Sequence, residues 1–327
     1  MPRIHKIAYF GSDDICLPGL RFLHEQCREL CEIVAVVSQP DRRQGRGKRL
    51  QQNSVAAYAS ENRLHLLQPP KPDAALGEFL RVQGVELAFV MAYGHFIGKS
   101  VREAPTQGML NFHGSILPAY RGASPVEAAI ANGESETGVC LMQVVREMDA
   151  GSVADCEKVG IDDVDTAVDL RARIGEAVVP LLKRNLKAAL SAELVFAEQD
   201  HSAATYCRKI AKNDAALDFY LPARLIDCRL RAFTPWPGGY FDYEGTRLKV
   251  GRAGWIPVTA GDPEGTIVSV GESLDVATSD GILQIFELQR PGGRMIPVKD
   301  FVRGYPIESG EVLPSVPSEM LLRLDQR

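Results

Sequence analysis

The sequence predicts an α/β domain built on a mostly parallel sheet, followed by a small all-β domain. Three observations predict it. Over the first 190 residues, short apolar runs alternate with amphipathic stretches of helical length. Beyond that point the runs become short and β-rich, separated by Gly, Pro, Asp and Ser, as in a small barrel. A length of 327 residues also exceeds one average domain, so two are expected. The boundaries that follow are residues 1–190 for the α/β domain, 191–206 for a linker without strong periodicity, and 207–327 for the β domain.

Taken in order, Ile4 to Phe10 is a compact apolar run closed by Gly11-Ser12 and reads as a first buried strand. Leu17 to Leu30 has the apolar face of a helix, and Ile33 to Val37 is a β-branched second strand. Asn53 to Asn62 is a helix with Asn53 as its cap. Leu64 to Leu67 is a short strand closed by Gln68-Pro69-Pro70, and Asp73 to Val82 is helical. Leu87 to Met91 is the next strand, with Ala92-Tyr93-Gly94 turning out of it. Met109 to His113 is a strand, Ser124 to Asn132 a helix, Thr137 to Val144 a strand and Asp165 to Leu190 a long helix. That helix opens on Asp165 and carries Lys183, Arg184 and Lys187 late, as the helix dipole favours. After the linker, Pro222 to Ala232 is a short helix. Arg247 to Arg252, Gly265 to Val270, Leu274 to Thr278 and Ile282 to Leu288 are strand-like.

Composition narrows the function. Hydrophobic content of 45% and charged content of 24% are ordinary for a globular protein. No apolar run is long enough to span a bilayer, and the N-terminus lacks a signal-peptide layout, so a cytoplasmic protein is expected. The seven cysteines form no CxxC pair and no Cys/His cluster, so free, packed thiols and no metal site are expected. The first strand ends without GxGxxG, which argues against a dinucleotide site of the usual kind. A net charge of −5 gives no global sign of nucleic-acid binding, so any such evidence must be local.

Three stretches carry possible chemistry. Asn111 and His113 are two apart on one strand and so share a face, with Gly114 turning the chain next. An amide donor beside an imidazole suits proton transfer and charge stabilisation. Asp149 follows the 137–144 strand; in an open parallel sheet ligands sit outside the strands' carboxyl ends, and two such ends from neighbouring strands bring Asp149 near His113. The alternative is that these polar residues only stabilise turns. Arg42, Arg43, Arg46, Lys48 and Arg49 put five cations in eight residues, interleaved with glycine, which suits a phosphate backbone; the alternative is a solvated loop. Ala92-Tyr93-Gly94 offers backbone groups and an aromatic at the same sheet edge, suited to a flat heterocycle; an ordinary turn explains it equally well.

These residues carry a resemblance. SQPDRRQGRGKRL (38–50), AYG (92–94), LNFHGSILPAYRGASPVEAAI (110–130), ETGVCLMQ (136–143), MDAG (148–151), RAFTPWPGGY (231–240) and DGILQIFELQRPGG (280–293) resemble the methionyl-tRNA formyltransferase family, end to end. Asn-x-His-Gly-Ser-x-Leu-Pro with the later Asp is shared more widely by folate-dependent formyltransferases. The resemblance implies a Rossmann-like catalytic domain followed by an OB-like barrel, with 10-formyltetrahydrofolate as co-substrate, methionyl-initiator-tRNA as partner, and a monomer. It implies Asn111, His113 and Asp149 as catalytic residues. It implies Tyr93, Gly94, Phe96, Ser115, Leu117, Pro118 and Met148 as folate-binding. It adds Arg208, Lys209, Lys212 and Lys249 to Arg42, Arg43, Arg46, Lys48 and Arg49 as tRNA contacts. Gly11-Ser12-Asp13, Ala119-Tyr120-Arg121, Cys140 and Ser152 depart from the family's usual Gly-Thr-Pro, Arg-Trp-Arg, Thr and Asp. None of them removes Asn111, His113 or Asp149.

Overall fold

The computed structural model describes residues 3–44, 49–258 and 261–324. Seven strands form the main sheet: β1 His5–Phe10, β2 Cys31–Val37, β3 Leu66–Leu67, β4 Leu87–Val90, β5 Met109–His113, β6 Glu136–Gln143 and β7 Val153–Gly160, in the order β7-β6-β5-β4-β1-β2-β3. The five strands from β3 to β5 are parallel, while β6 and β7 run antiparallel to their neighbours. The chain winds outward from β1 to β2 and β3, then returns to place β4 on the other side of β1. The carboxyl ends of β1 and β4 therefore flank a topological switch point, where such sheets bind ligands.

The helices form as their caps and apolar faces dictate. The Asn53 side chain accepts the Ala56 N–H at the start of helix Ser54–Glu61, and Asp73 does the same for Leu76 in helix Ala74–Val82. Under the sheet, Ala8, Phe10, Val37, Leu80, Ala88 and Val101 join one buried cluster. The expected Leu17–Leu30 helix is shorter and irregular. A 3₁₀ turn, Asp14–Cys16, leads into the α-helix Leu17–Arg21, which ends in a π turn, Phe22–Gln26. Gly19 lies so close to Val178 that a Cβ there would meet its Cγ1 at 2.9 Å.

Two expectations are corrected here. Cys140 and Cys156 are not free thiols: they stand directly opposite each other on β6 and β7, with Cα atoms 4.1 Å apart, and are joined as a disulfide. Strand register, which spacing in the sequence does not reveal, brings them together. Cys16, Cys27, Cys31, Cys207 and Cys228 lie outside the disulfide and are buried. In addition, β7 was not anticipated. It is an edge strand whose Asp155, Glu157 and Lys158 mask its alternation, as charged edges commonly do.

Contacts divide the chain into two compact units: Met1–Gly122, Glu136–Gly160 and Arg171–Tyr206 in the first, and Ala123–Ser135, Ile161–Leu170 and Cys207–Arg327 in the second. In the second unit, β8 Tyr240–Tyr243, β9 Thr246–Val250, β10 Ala253–Ile256, β11 Ile267–Val270, β12 Leu274–Ala277, β13 Ile282–Ile285, β14 Glu287–Gln289 and β15 Ile296–Pro297 form two antiparallel sheets, ordered β8-β9-β14-β15 and β10-β13-β12-β11. The paired strands β9 and β14 continue directly into β10 and β13, so one bent ribbon belongs to both sheets. Leu248, Ile267, Val276, Leu283, Ile285 and Phe219 fill the space between them.

Candidate active site

Strand β5 sets the site. Asn111 pairs with Val90 and Met142, and His113 with Cys140, so both side chains project from one face at the carboxyl end of the strand. His113 is buried, at 5% exposure. Its Nε2 lies 2.9 Å from the Tyr120 carbonyl oxygen. A carbonyl only accepts, so Nε2 carries a hydrogen in either charge state of the ring and Nδ1 is left for chemistry. Nδ1 faces Asp149 Oδ2 at 3.6 Å, which is too long for a hydrogen bond but within ion-pair range. Asp149 Oδ2 also accepts the Gly122 N–H at 2.8 Å. The Asn111 amide makes no side-chain hydrogen bond among the described residues and remains available to a ligand. Tyr120 and Asp149, the two residues that face the imidazole, both hold left-handed backbone, with φ of 59° and 51°. Such conformations are uncommon outside glycine and tend to mark functional sites.

Asp149 reaches His113 by a route other than the expected one. Strand β6 is antiparallel to β5, so its carboxyl end, Gln143, lies beside Leu110 rather than beside His113. The loop between β6 and β7 then runs back along β5 to bring Asp149 to the imidazole. Gly151 permits this return, because a Cβ there would sit 2.0 Å from the Gln143 carbonyl oxygen.

Two groups in the site were not anticipated. Arg121 is 1% exposed, and its guanidinium binds Gln199 Oε1. Gln199 in turn donates to the Asp149 and Gly151 carbonyls. Gln199 lies in a stretch without period, so nothing in the sequence marked it.

Residues 5–186 match the formyl transferase family model, and residues 209–306 match the model of the formyl transferase C-terminal domain. The methionyl-tRNA formyltransferase of Parvibaculum lavamentivorans is 37% identical over 94% of this chain and 99% of its own length. That of Sorangium cellulosum is 36% identical over 94% and 99%. The chain belongs to the methionyl-tRNA formyltransferase family. It is thus an enzyme that transfers a formyl group, and Asn111, His113 and Asp149 lie within the matched residues 5–186. Two solved structures share the fold at low identity. One is a sugar 3N-formyl transferase determined with dTDP and 5-N-formyl-THF (TM-score 0.65, 19% identity, 90% of this chain and 100% of that one). The other is an N-formyltransferase from Helicobacter canadensis (TM-score 0.66, 20% identity, 88% and 100%).

The residues expected around folate divide by exposure. Gly94 turns with φ 75° and is exposed, while Phe96 and Met148 present large apolar side chains at 76% and 57% exposure. Exposed apolar groups and open backbone fit a flat heterocycle. Tyr93 is different: its ring is buried edge-on against Phe10, and burial pushes its hydroxyl up to about 12. Its carbonyl accepts from Gln39 Nε2 at 2.8 Å and from Ser12 Oγ at 3.3 Å. Ser115 is buried with its hydroxyl on the Ala119 carbonyl, and so shapes the loop that holds the half-buried Leu117 and Pro118.

Of the expected tRNA contacts, Arg42 and Arg43 are exposed on one strand of a hairpin, Arg42–Gln44 with Arg49–Gln51. Arg42 donates to Gln39 Oε1. Arg46 and Lys48 lie outside the described residues, and for Arg49 only the backbone is described. Lys209, Lys212 and Lys249 are exposed. Arg208 is engaged internally: it forms two 2.7 Å bonds to the Asp214 carboxylate and a further bond to the Met320 carbonyl. Among the described residues, no group of three His, Cys, Asp or Glu side chains is placed to hold a metal, and no helix is long and apolar enough to cross a membrane.

Proposed function

We propose that this enzyme transfers the formyl group of 10-formyltetrahydrofolate to the α-amino group of methionyl-initiator-tRNA, in the cytoplasm and as a monomer. Residues 1–190 carry the catalysis, 191–206 form the connection, and 207–327 add tRNA contacts. The observation that carries this reading is the unpartnered Asn111 amide beside an imidazole whose Nε2 is engaged by Tyr120 and whose Nδ1 faces Asp149.

The chemistry follows from that geometry. The amine must be neutral to attack the formyl carbon, and the carbonyl oxygen then gathers negative charge. The Asn111 amide donates to that oxygen. His113 donates to it through Nδ1 when that nitrogen is protonated, since Nε2 is already committed. One such donor is typically worth about 3–4 kcal/mol in the transition state. The attacking nitrogen loses one proton and the leaving folate nitrogen gains one, so the step needs a group that takes a proton and returns it. The Asp149 carboxylate, 3.6 Å from Nδ1, is that group: it takes the proton from the attacking nitrogen and returns it to the leaving folate nitrogen while Nδ1–H holds the oxyanion. The gap closes readily on substrate binding, because catalytic hydrogen bonds are often long in the free enzyme. The pterin lies against the 92–97 turn, with Phe96 and Met148 as its apolar cover and Tyr93, Gly94, Ser115, Leu117 and Pro118 shaping the walls. The cations Arg42, Arg43, Arg46, Lys48 and Arg49 grip phosphates of the acceptor stem, joined by Lys209, Lys212 and Lys249.

The test is formylation by the purified enzyme with 10-formyltetrahydrofolate, offering methionyl-tRNA, uncharged tRNA and a nucleotide-linked amino sugar in parallel. Transfer to methionyl-tRNA alone is expected. Transfer only to the sugar would keep the catalytic trio and overturn the partner, and release of formate to water alone would replace transfer with hydrolysis.

A further inference from the structure

We propose that Gln199 is a positioning residue for the formyl-transfer step, fixing the loop that presents Asp149 to His113. This inference rests on the catalytic reading of Asp149 given above.

A side-chain amide has four hydrogen-bonding positions, two donors and two acceptor lone pairs. Gln199 uses all four. Its Oε1 accepts from Arg121 Nε at 3.0 Å and from Arg121 Nη2 at 2.6 Å. Its Nε2 donates to the Asp149 carbonyl at 2.9 Å and to the Gly151 carbonyl at 2.7 Å. The guanidinium only donates and the carbonyls only accept, so the amide has a single possible orientation. Gln199 is 8% exposed and Arg121 1%, so little water competes for these bonds.

Arg121 is anchored in turn. Its Nη1 donates to the Tyr206 hydroxyl at 3.1 Å, and its Nη2 lies 3.1 Å from His201 Nδ1. Its backbone N–H donates to the Thr205 carbonyl at 2.8 Å. Ala197, two residues before Gln199, exchanges both backbone bonds with Val153 at 2.9 Å, which ties the segment to the start of β7. The Asp149 loop is therefore held from both sides. Gly122 N–H binds the carboxylate, and Gln199 binds the backbone of the same residue, which needs support because its φ is 51°. Arg121, directly before Gly122, links the two grips. A displacement of about 1 Å in a catalytic group costs as much as 100-fold in rate, so a brace on this loop acts on kcat rather than on substrate affinity.

Gln199→Glu separates the bracing role from general folding. The glutamate keeps the acceptor for Arg121 but turns an oxygen toward two carbonyls, removing both donors that hold the loop. Expected is a fall in kcat of about 10- to 100-fold, with KM for methionyl-tRNA and for 10-formyltetrahydrofolate within about twofold of wild type. In an Asp149→Ala background the same substitution is expected to change the residual rate less than about twofold, because its effect passes through Asp149. A wild-type kcat in Gln199→Glu overturns the proposal. So does an equal loss in both backgrounds, which would show a role independent of Asp149. Gln199→Asn, an amide one methylene too short to span both partners, serves as the second variant and is expected to behave alike; if neither variant folds, the residue is structural and the proposal falls. Wild-type kcat in Asp149→Ala alone would instead overturn the catalytic reading, which keeps the two failures distinguishable.

Discussion

His113 and Asn111 share a strand face but play unequal parts in stability. The imidazole satisfies the buried Tyr120 carbonyl, on a residue whose left-handed backbone is already costly, whereas the Asn111 amide satisfies nothing in the protein among the described residues. Asn111→Ala is therefore expected to lower kcat about 100- to 1000-fold, the usual loss for one oxyanion donor, with little change in the midpoint of thermal unfolding. His113→Ala is expected to abolish transfer and also to lower the midpoint by several degrees, since an unsatisfied buried acceptor costs about 1–3 kcal/mol. Kinetics and calorimetry on the two variants check the contrast. A drop in the Asn111→Ala midpoint matching that of His113→Ala would show that Asn111 has a structural partner after all. Wild-type turnover by folded His113→Ala would sink the mechanism.

The elements that carry these residues were legible to different degrees. Strands β1, β2, β4 and β5 were legible because short apolar runs between turn-formers have few other uses in an α/β chain. The cap Asn53 was legible because a short polar side chain ahead of an apolar period has a specific job. Strand direction was not legible. Nothing in ETGVCLMQ distinguishes a parallel from an antiparallel neighbour, so Asp149 was expected near His113 for the wrong reason. Register was equally hidden, and with it the pairing of Cys140 with Cys156. The trio itself was visible through motif and resemblance, while Gln199 was invisible because its meaning is entirely tertiary. The hairpin of β6 and β7 can be tested with two glycines. Gly151→Ala drives a Cβ to 2.0 Å from the Gln143 carbonyl, so the backbone must shift and carry Asp149 with it. A loss of about 1–3 kcal/mol in stability is expected, with a kcat loss of at least tenfold. Gly160→Ala, at the far end of β7 with nothing within 4 Å of its Cβ, is expected to match wild type in both. Equal behaviour of the two variants would show that the loop return does not depend on Gly151.

At the scale of the whole molecule, charge decides how a chain of net −5 could hold a polyanion. From residue 200 onward, 15 Lys+Arg face 17 Asp+Glu, so affinity for tRNA must come from local clusters rather than from a global field. Arg42→Ala combined with Arg43→Ala is expected to weaken tRNA binding and to flatten its logarithmic salt dependence by about one to two units, one for each phosphate no longer neutralised. An unchanged slope would make the hairpin only a solvated face. Arg208 calls for a different test, because its guanidinium is bound to Asp214. Burial alone would push the Asp214 carboxyl up. The bonds from Arg208 and the Ala211 N–H, with the charges of Arg208 and Arg229, outweigh it and hold the carboxyl below the usual carboxylate range. A carboxyl depressed on folding adds stability above its unfolded value of about 4, and that stability drains away as pH falls through the lower folded value. Arg208→Met is therefore expected to lower the unfolding midpoint most at neutral pH, with the gap to wild type narrowing as pH falls below about 4. In an Asp214→Asn background, Arg208→Met is expected to show no such narrowing, since no carboxyl then remains to titrate at that position. Thermal melts of wild type, the two single variants and the double variant from pH 7 to pH 3 measure it. A gap that stays constant over this range would show that Arg208 stabilises by packing alone. Loss of tRNA affinity in Arg208→Met at an unchanged midpoint would return Arg208 to the tRNA-binding set.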